Sequence, residues 1–324
     1  MLKIKVGQIG IGTWGKNHCQ LLAEMPEVAL VGLHDIHVNR CGRSAQDYGT
    51  REFENLPALL EQIEALVVTA STPQHFEITH LALSKGVHVF VEKPICTTVA
   101  EARTLVELAE RQGLVLQVGH IERFNPAFRV LRGEPLEPLY VECRRLAPFS
   151  ARSSDISVVL DLMIHDLDLL QTVVASPHAN IVATGLTVCS PGTDFANARI
   201  EFENGCVANV TASRVAESKV RQMDIFQRDS GFRLDFLSRR ATKFSLNGRS
   251  QPRHLVALSA AQHAHAGEQN LLQVELEAFL GCVRNSARPE VDGLNGLEAL
   301  ALAQEIMRQI EQTESRTDKK ILKL

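Results

Sequence analysis

Two short stretches of this sequence combine residue types that can move a proton. Lys93 lies in the tripeptide Glu92-Lys93-Pro94, at the end of an apolar run that is typical of a strand. Asp161 and His165 are four residues apart in a run of helical character, which would place both side chains on one helix face. A lysine in a partly desolvated cleft can donate to a substrate oxygen, and a carboxylate beside an imidazole orients it for acid–base work. Both stretches therefore predict acid–base chemistry, with a surface Glu-Lys pair and a satisfied core histidine as the plainer alternatives.

A glycine motif near the amino terminus indicates a cofactor. Gly10, Gly12 and Gly15 follow the first strand-like run and open a predicted helix, where the backbone can approach a pyrophosphate. Asp35 ends the second strand-like run, where a carboxylate accepts hydrogen bonds from a ribose and disfavours a 2′-phosphate. The motif predicts a dinucleotide site that prefers NAD over NADP, although nearby Arg40 could accommodate a phosphate. The candidate cofactor residues of this region are Gly10, Gly12, Thr13, Trp14, Gly15, Asp35 and Arg40.

The elements that must position these residues change character along the chain. Up to about residue 120, short apolar runs alternate with amphipathic stretches of helical period, which is typical of a parallel sheet covered by helices. A predicted helix over about 156–174 is then followed by strand-like segments joined by tight turns such as Asn204-Gly205, which is typical of an antiparallel sheet. We therefore predict an α/β protein with an N-terminal Rossmann dinucleotide-binding domain at residues 1–120. A C-terminal α+β domain with a large, mostly antiparallel sheet follows at residues 121–324, and its last helix is a candidate to pack back on the first domain.

The composition excludes several other classes of protein. The 324 residues are 45% hydrophobic and 22% charged with a formal net charge of −4, which excludes disorder and a global basic field for nucleic acid or a membrane surface. No apolar run is long enough for a membrane span. Seven cysteines without a C-x-x-C pair, and the lack of a secretory signal after Met1, predict a reducing, cytoplasmic compartment and no metal site.

One region departs from the overall acidic balance. Between Arg214 and Arg253 the sequence contains 10 Lys and Arg residues against 4 Asp and Glu residues. Such a local positive excess suits a small ligand that carries a diphosphate. The alternative interpretation places these charges on solvent-facing strands or in a subunit contact.

Taken together, the motifs resemble those of the Gfo/Idh/MocA oxidoreductase family. The matching segments are GIGTWG at 10–15, STPQH at 71–75, VEKPI at 91–95, the D-x-x-x-H stretch at 161–165 and VDGLNGLEAL at 291–300. The resemblance implies an NAD(P)-dependent enzyme that acts on a hydroxyl or carbonyl of a sugar, cyclitol or nucleotide sugar. It also implies Lys93 and His165 at the reacting carbinol, either of them as the base, with Asp161 beside them and a cis bond before Pro94. The residues it implies near the nicotinamide are Ser71, Thr72, Pro73, His75, Glu92, Lys93 and Pro94.

Two further segments narrow the resemblance. GHIERFNPAF at 119–128 and SRVAESKVRQMDIFQRDSGF at 213–232 look like the branch that includes UDP-N-acetylglucosamine 3-dehydrogenases, although inositol-type members share the first segment. This branch implies oxidation of the sugar 3-hydroxyl to a 3-keto sugar that is then aminated for lipid A biosynthesis, and a homodimer or homotetramer. It adds His120, Arg123 and Asn125 as substrate-side residues. The alternatives are a dehydrogenase of myo-inositol or another free polyol and a non-catalytic NAD-binding regulator.

Overall fold

The computed structural model of this chain describes residues 2–150, 156–245, 255–258 and 270–321. The chain divides into two compact units. Unit 1 comprises Met1–Ile121 with Asn270–Glu298, and unit 2 comprises Glu122–Gln269 with Ala299–Leu324. The sequence prediction placed residues 270–298 in the second domain, so the structure corrects the assignment of this segment.

A six-stranded parallel sheet lies at the centre of unit 1, as a Rossmann fold requires. In the order β3-β2-β1-β4-β5-β6, the strands are β1 (Ile4–Ile9), β2 (Val28–His34), β3 (Arg51–Glu52), β4 (Ala65–Val68), β5 (His88–Glu92) and β6 (Leu116–Gly119). The strand order reverses between β1 and β4, and ligands of such sheets bind at the carboxyl ends of the strands around this reversal. The glycine motif follows β1 and Lys93 follows β5, so the topology brings both to this edge of the sheet.

Helices connect these strands. They are α1 (Thr13–Glu24), α2 (Val38–Asp47), α3 (Leu56–Leu60), α4 (Thr72–Ser84) and α5 (Val99–Gln112). The alternation of parallel strands and helices confirms the fold class that the sequence predicts for the first part of the chain.

Unit 2 is built on an eight-stranded, mostly antiparallel sheet in the order β14-β13-β12-β11-β7-β10-β9-β8. Its Asn204-Gly205 turn joins β9 to β10, with Gly205 at a φ of 86°, as the turn signal predicts. Among the strand pairs in the described part of the chain, β7 and β10 are parallel, and the other pairs of this sheet are antiparallel. Its elements are α6 (Pro126–Arg129), β7 (Tyr140–Leu146), α7 (Ile164–Val174), β8 (His178–Leu186), β9 (Phe195–Phe202), β10 (Val207–Ser213), β11 (Val220–Phe226), β12 (Ser230–Asp235), β13 (Arg240–Ser245) and β14 (Leu255–Leu258).

The two C-terminal helices, α8 (Leu271–Asn285) and α9 (Gly293–Ile321), supply apolar residues to different units. Helix α8 packs into the core of unit 1, where the ring of Phe279 meets that of Phe90 with centroids 5.8 Å apart. From Ala299 onward, α9 adds apolar side chains to the core of unit 2. An amphipathic helix does not encode which sheet it covers, and for this reason the sequence placed α8 in the wrong unit. No helix in the described ranges has both the length and the apolar character that a membrane span needs.

Candidate functional site

The turn between β1 and α1 is shaped by its three glycines. Gly10 has a φ of 87°, and a Cβ on it would lie 2.5 Å from the backbone nitrogen of Ala70. A Cβ on Gly15 would lie 2.0 Å from the carbonyl oxygen of Gly10, so the first turn of α1 packs directly on the glycine turn. Around a Cβ on Gly12, by contrast, no described residue beyond its chain neighbours comes within 4 Å. The turn is therefore closed by protein at Gly10 and Gly15 and open at Gly12, where a pyrophosphate can approach.

Two polar side chains, the buried Gln8 and the half-buried Thr69, hold this turn in place. Gln8 donates from Nε2 to the carbonyl oxygen of Gly15 at 2.6 Å, and the Thr69 hydroxyl donates to the carbonyl oxygen of Gly10 at 2.6 Å. Neither residue is among the sequence-predicted site residues. A glutamine between Gly7 and Ile9, directly before the glycine motif, is the signal that could have identified the first of them.

Asp35 ties the end of β2 to the same turn. Its Oδ2 accepts the N–H of Ile11 at 2.5 Å, and its Oδ1 accepts the N–H of His37 at 2.7 Å. The guanidinium of Arg40 lies 3.4 Å from Oδ1. Arg40, which the sequence offered as a possible partner of a 2′-phosphate, is thus paired with the carboxylate that would repel that phosphate.

A cleft of about 270 Å³ opens between the glycine turn, the end of β2 and the start of α4. Five predicted cofactor residues line it, namely Gly10, Gly12, Asp35, Arg40 and Ser71, together with Gln74, which the sequence did not single out. Thr13 and Trp14 are exposed at the start of α1, and Thr72 and Pro73 form the first residues of α4 beside Ser71. The structure therefore assembles most of the predicted cofactor residues around one cleft in unit 1.

The Glu92-Lys93-Pro94 turn follows β5, and its Lys93–Pro94 bond is cis, as the resemblance implies. Lys93 is half-buried. Glu92 points to the fully buried His18 of α1, whose Nε2 lies 2.8 Å from Glu92 Oε1, and its Oε2 accepts the N–H of Lys93 at 3.3 Å. Burial alone would raise the pKa of Glu92, but the hydrogen bond and charge of His18 and the charge of Lys93 lower it. His18 was not predicted, although it lies three residues after the last glycine of the motif.

The structure places the His75 ring between two backbone carbonyls. The ring is buried in α4, with Nδ1 2.9 Å from the carbonyl oxygen of Pro94 and Nε2 2.9 Å from that of Ala70. Burial lowers the pKa of His75, although both carbonyl contacts favour the protonated ring. Both ring nitrogens face backbone carbonyls of unit 1, and the placement of His75 near the nicotinamide stays a prediction.

In unit 2, Asp161 and His165 lie at a change of helix type. Asp161 belongs to a π-helical turn, Val159–Met163, and His165 to the first turn of α7. The sequence predicts a single helix over about 156–174, so the wider turn is a difference, and such turns are frequent at functional sites. Both side chains are partly exposed, with 28% of the Asp161 side chain accessible, whereas Asp166 and Asp168 are buried.

A buried arginine lies behind Asp161. The Nη2 of Arg214 is 4.0 Å from Asp161 Oδ2, and its Nε is 3.9 Å from Asp194 Oδ1. Arg214 also donates to the carbonyl oxygen of Ile156 at 2.5 Å, just before the π-helical turn. Burial would raise the pKa of Asp194, but the Ser190 hydroxyl and the backbone N–H groups of 188–190 donate to it and hold its pKa well below the usual range. Asp161 thus neighbours an arginine whose own position is fixed by main chain and a second carboxylate.

Arg123 and Asn125, expected on the substrate side, make internal contacts in unit 2. Arg123 is buried and donates from Nε and Nη2 to the two carboxylate oxygens of Asp168 at 2.6 and 2.8 Å. Asn125 caps α6 by accepting the N–H of Ala127 at 3.0 Å, and it donates to the carbonyl oxygen of Phe236 at 3.1 Å. The atoms in these bonds already have protein partners, and the assignment of Arg123 and Asn125 to the substrate side stays a prediction. His120 is buried after β6, and its assignment stays a prediction.

A second buried arginine crosses the same region of unit 2. Arg145 donates to both oxygens of Asp166 at 2.7 and 2.9 Å and to Oε1 of Glu122 at 2.9 Å. Burial would raise the pKa of Glu122, but the charges of Arg145 and Arg221 and the hydrogen bond from Arg145 lower it. Charged residues that the sequence left without a role therefore form an ion-pair network beneath α7.

The basic stretch at 214–253 is partly neutralised. Arg249 and Arg253 lie outside the described residues. Salt bridges within 4.0 Å join four of the other cations to carboxylates, of which Glu122, Glu134, Asp161 and Asp194 lie outside the stretch. These four are Arg214, Arg221, Arg233 and Lys243. Within the described ranges, no three His, Cys, Asp or Glu side chains are grouped closely enough to hold a metal ion.

Comparison with known proteins gives matches to both parts of the chain. Residues 4–120 match a family model described as an oxidoreductase family with an NAD-binding Rossmann fold, and residues 131–230 match the GFO/IDH/MocA C-terminal domain.

Several relatives are similar over nearly the whole chain. UDP-N-acetylglucosamine 3-dehydrogenase of Acidithiobacillus ferrooxidans is 33% identical, over 96% of this chain and 98% of that protein. A solved structure of that enzyme covers 96% of this chain and 99% of its own, with a TM-score of 0.88. The scyllo-inositol 2-dehydrogenase (NAD(+)) of Bacillus subtilis is 24% identical over 90% of each chain. Levoglucosan dehydrogenase, solved in complex with NADH and levoglucosan, shares the fold with a TM-score of 0.83 at 17% identity, covering 96% of this chain and 98% of its own.

Proposed function

Because this chain belongs to the Gfo/Idh/MocA oxidoreductase family, we propose that it oxidises the 3-hydroxyl of UDP-N-acetylglucosamine to the 3-keto sugar. The observation that carries the proposal is the 33% identity to an enzyme of that name, which extends over 96% of this chain. The broader activity, dehydrogenation of a hydroxyl group, is common to relatives of both substrate classes, and the matched Rossmann domain belongs to an NAD-binding family. The 3-keto product would then be a substrate for amination, on the way to the amino sugars of lipid A.

NAD is the cofactor, and the residues of unit 1 fit it. Gly12 leaves room for the pyrophosphate, and Asp35 presents a carboxylate to the cleft at the end of β2, where the ribose would bind. The N–H groups at the start of α1 would hold the phosphates. When bound, NAD accepts the hydride that leaves the carbinol carbon.

The proton chemistry is assigned to two side chains in this proposal. His165 takes the hydroxyl proton as general base, and Lys93 donates a hydrogen bond to the same oxygen and stabilises its developing negative charge. Asp161 lies in the turn before His165 and would orient the imidazole or the sugar. Loss of a hydride and a proton converts the alcohol to a ketone, and the proton on His165 passes to solvent.

A second candidate is the oxidation of a free polyol such as inositol. It is supported by the inositol dehydrogenases among the relatives, which include the Bacillus subtilis enzyme. The internal ion pairs of the basic stretch also leave fewer cations for a diphosphate than the sequence alone indicates. A substrate that lacks phosphate would need none of them.

A substrate panel separates the two candidates. The protein is incubated with NAD⁺ and UDP-N-acetylglucosamine, other UDP-sugars or free polyols, and NADH absorbance is followed. A transaminase and an amine donor are added to remove the keto product. We expect the highest kcat/KM with UDP-N-acetylglucosamine. A higher value with myo-inositol than with every UDP-sugar would overturn the first proposal in favour of the second.

Substitutions test the two assigned side chains. Lys93→Met and His165→Ala should each lower kcat by about 100-fold or more, because each removes a group that acts on the reacting oxygen. Lys85→Met and His178→Ala are matched controls, since both residues are exposed and lie outside the motifs. Turnover close to that of the unsubstituted enzyme in either of the first two variants would refute the assigned role.

We also propose that the enzyme assembles as a homodimer or homotetramer in the cytoplasm. The proposal is supported by the outward face of the unit 2 sheet, where Val182 and Leu186 of β8 are each more than half exposed. All seven cysteines are free thiols, as expected in a reducing compartment. Light scattering should give a mass of two or four chains, and a monomer would contradict the assembly. Cell fractionation should recover the enzyme in the cytoplasmic fraction, and its recovery in another fraction would contradict the location.

A further inference from the structure

We propose that His18 and His75 are positioning residues for Lys93, which together hold the Glu92-Lys93-Pro94 turn from both sides. Neither ring is assigned a contact with substrate or cofactor. His18 acts through the residue before Lys93, and His75 acts through the residue after it. The inference rests on the proposed function, because the role of Lys93 belongs to that proposal.

Among the described residues, His18 has one polar contact, and it is with Glu92. The ring is fully buried in α1, and it packs on Phe90 with centroids 5.4 Å apart. Nε2 lies 2.8 Å from Glu92 Oε1, whereas Nδ1 has no hydrogen-bond partner among the described residues. A buried polar atom without a partner lowers the stability of the protein. An apolar residue here would therefore give a more stable protein, unless the contact made by Nε2 has a role of its own. The contact with Glu92 is what this histidine provides.

Glu92 links His18 to the main chain of Lys93. Its Oε2 accepts the N–H of Lys93 at 3.3 Å. Across the sheet, Glu92 is the register partner of Gly119 on β6, where a Cβ would lie 2.9 Å from Oε2. The carboxylate is thus confined between α1, the end of β6 and the Lys93 backbone, and little freedom is left for the residue that follows it.

His75 holds the other end of the turn. Its Nδ1 lies 2.9 Å from the carbonyl oxygen of Pro94, and its Nε2 lies 2.9 Å from that of Ala70. Ala70 lines the cofactor cleft at the end of β4. The imidazole therefore joins the wall of the cofactor cleft to the residue directly after Lys93.

Both contacts are made with the Glu92-Lys93-Pro94 turn, and a purely structural role would not require this. Each histidine reaches a neighbour of Lys93 in the chain, one from the helix that follows the glycine turn and one from the helix that follows β4. Reactions of this type depend strongly on the placement of the reacting groups, and small displacements of a supporting residue lower the rate. Loss of either contact should therefore affect the chemical step more than the binding of NAD.

A double-mutant cycle tests this coupling. His18→Phe and His75→Phe are each made in the unsubstituted enzyme and in Lys93→Met. We expect about tenfold lower kcat in the unsubstituted background, with KM for NAD⁺ changed by less than about threefold, and no further loss in Lys93→Met. His18→Gln, which keeps an N–H donor for Glu92, should recover most of the activity. His80→Phe, an exposed position on the same helix as His75, is the matched control.

A second readout does not depend on turnover. Lysines are methylated with ¹³C-formaldehyde, and the Lys93 signal is identified by NMR from its loss in Lys93→Arg. In His18→Phe and His75→Phe this signal should shift or divide, while it should stay unchanged in His80→Phe.

Two results would overturn the inference. One is an unchanged Lys93 signal in both phenylalanine variants, and the other is an equal loss of kcat with and without Lys93. If no sugar is oxidised but the Lys93 signal moves as expected, the proposed function fails and the positioning role stands.

Discussion

The two regions that carry the proposed chemistry are held in different ways. In unit 1 the glycine turn is fixed by backbone shape, since a Cβ placed on Gly15 would lie only 2.0 Å from the carbonyl oxygen of Gly10. In unit 2 the π-helical turn with Asp161 is followed by a helix that is anchored by the buried pairs of Arg123 and Arg145. Steric fit secures the glycine turn of unit 1, and compensated charge secures the helix of unit 2.

This difference implies different sensitivities to substitution. A turn that is fixed by close packing is sensitive to added volume, even of a single methyl group. A helix anchored by buried ion pairs is sensitive to the loss of one partner, because an unpaired charge is left inside the protein. The predictions below test this contrast, beginning with the largest expected effect.

Arg145→Met should be the most damaging of these substitutions. It leaves Asp166 and Glu122 buried without their shared cation, so we expect a loss of about 3–5 kcal/mol in the free energy of unfolding. Urea unfolding followed by circular dichroism measures it. Arg199→Met is the control, because Arg199 and Glu201 form an exposed pair whose loss should cost less than about 0.5 kcal/mol. Equal stability of the two variants would show that charge does not hold this region.

Gly15→Ala should destabilise unit 1 by about 1–3 kcal/mol, since the new methyl group meets the Gly10 carbonyl oxygen and either α1 or the turn must move. The same displacement should weaken NADH binding. Trp14 is the sole tryptophan of the chain and lies on this turn, so its fluorescence reports both unfolding and NADH binding. A variant with unchanged stability and unchanged affinity would refute the close packing.

Gly12→Ala should separate stability from binding. Its backbone φ of −70° suits alanine, and the weaker helix cap is offset by the lower entropy of the unfolded chain, so stability should change by less than about 0.5 kcal/mol. NADH affinity should fall by about tenfold, or 1.4 kcal/mol, because the methyl group enters the space left for the pyrophosphate. Unchanged affinity would place the pyrophosphate elsewhere.

Mild acid should have the smallest effect, and it should affect unit 1 first. Burial lowers the pKa of His75 and His88 below the ordinary 6.5, so their stabilising contribution is complete above that pH and is lost as pH falls below it. The Nδ1 of His88 accepts the N–H of Val115 at 2.9 Å, a bond that protonation breaks. In unit 2, the pKa of Glu122 is lowered from 4.5, so its contribution is lost only in stronger acid.

The urea midpoint reported by Trp14 should therefore fall between pH 7.5 and pH 5.5. His88→Asn, which keeps an acceptor but does not titrate, should reduce this fall, whereas His178→Asn, an exposed position in unit 2, should not. Identical midpoints at the two pH values would contradict the assignment.

The sequence predicted the features that depend on local pattern. The glycine turn, the alternation of strands and helices in unit 1 and the Asn204-Gly205 hairpin follow from spacing and turn chemistry, and the structure has them. The π-helical turn was missed, because apolar spacing over a single turn does not distinguish it from an α-helix. The internal partners of Arg123 and His75 were not predicted, since residue type alone does not identify a buried partner. His18 and Arg145 were also missed, because their partners are distant in sequence.

The placement of α8 affects the order in which the chain folds during synthesis. Phe279 and its neighbours on this helix complete the core around β1, β4 and β5, yet they leave the ribosome after every strand of both sheets. The sheet of the cofactor-binding unit is synthesised first. One face of its core therefore stays uncovered until nearly the whole polypeptide has emerged. A truncated chain that ends before residue 270 would expose this apolar surface permanently, so isolated preparation of the cofactor-binding unit requires the distant helix to be joined back to it.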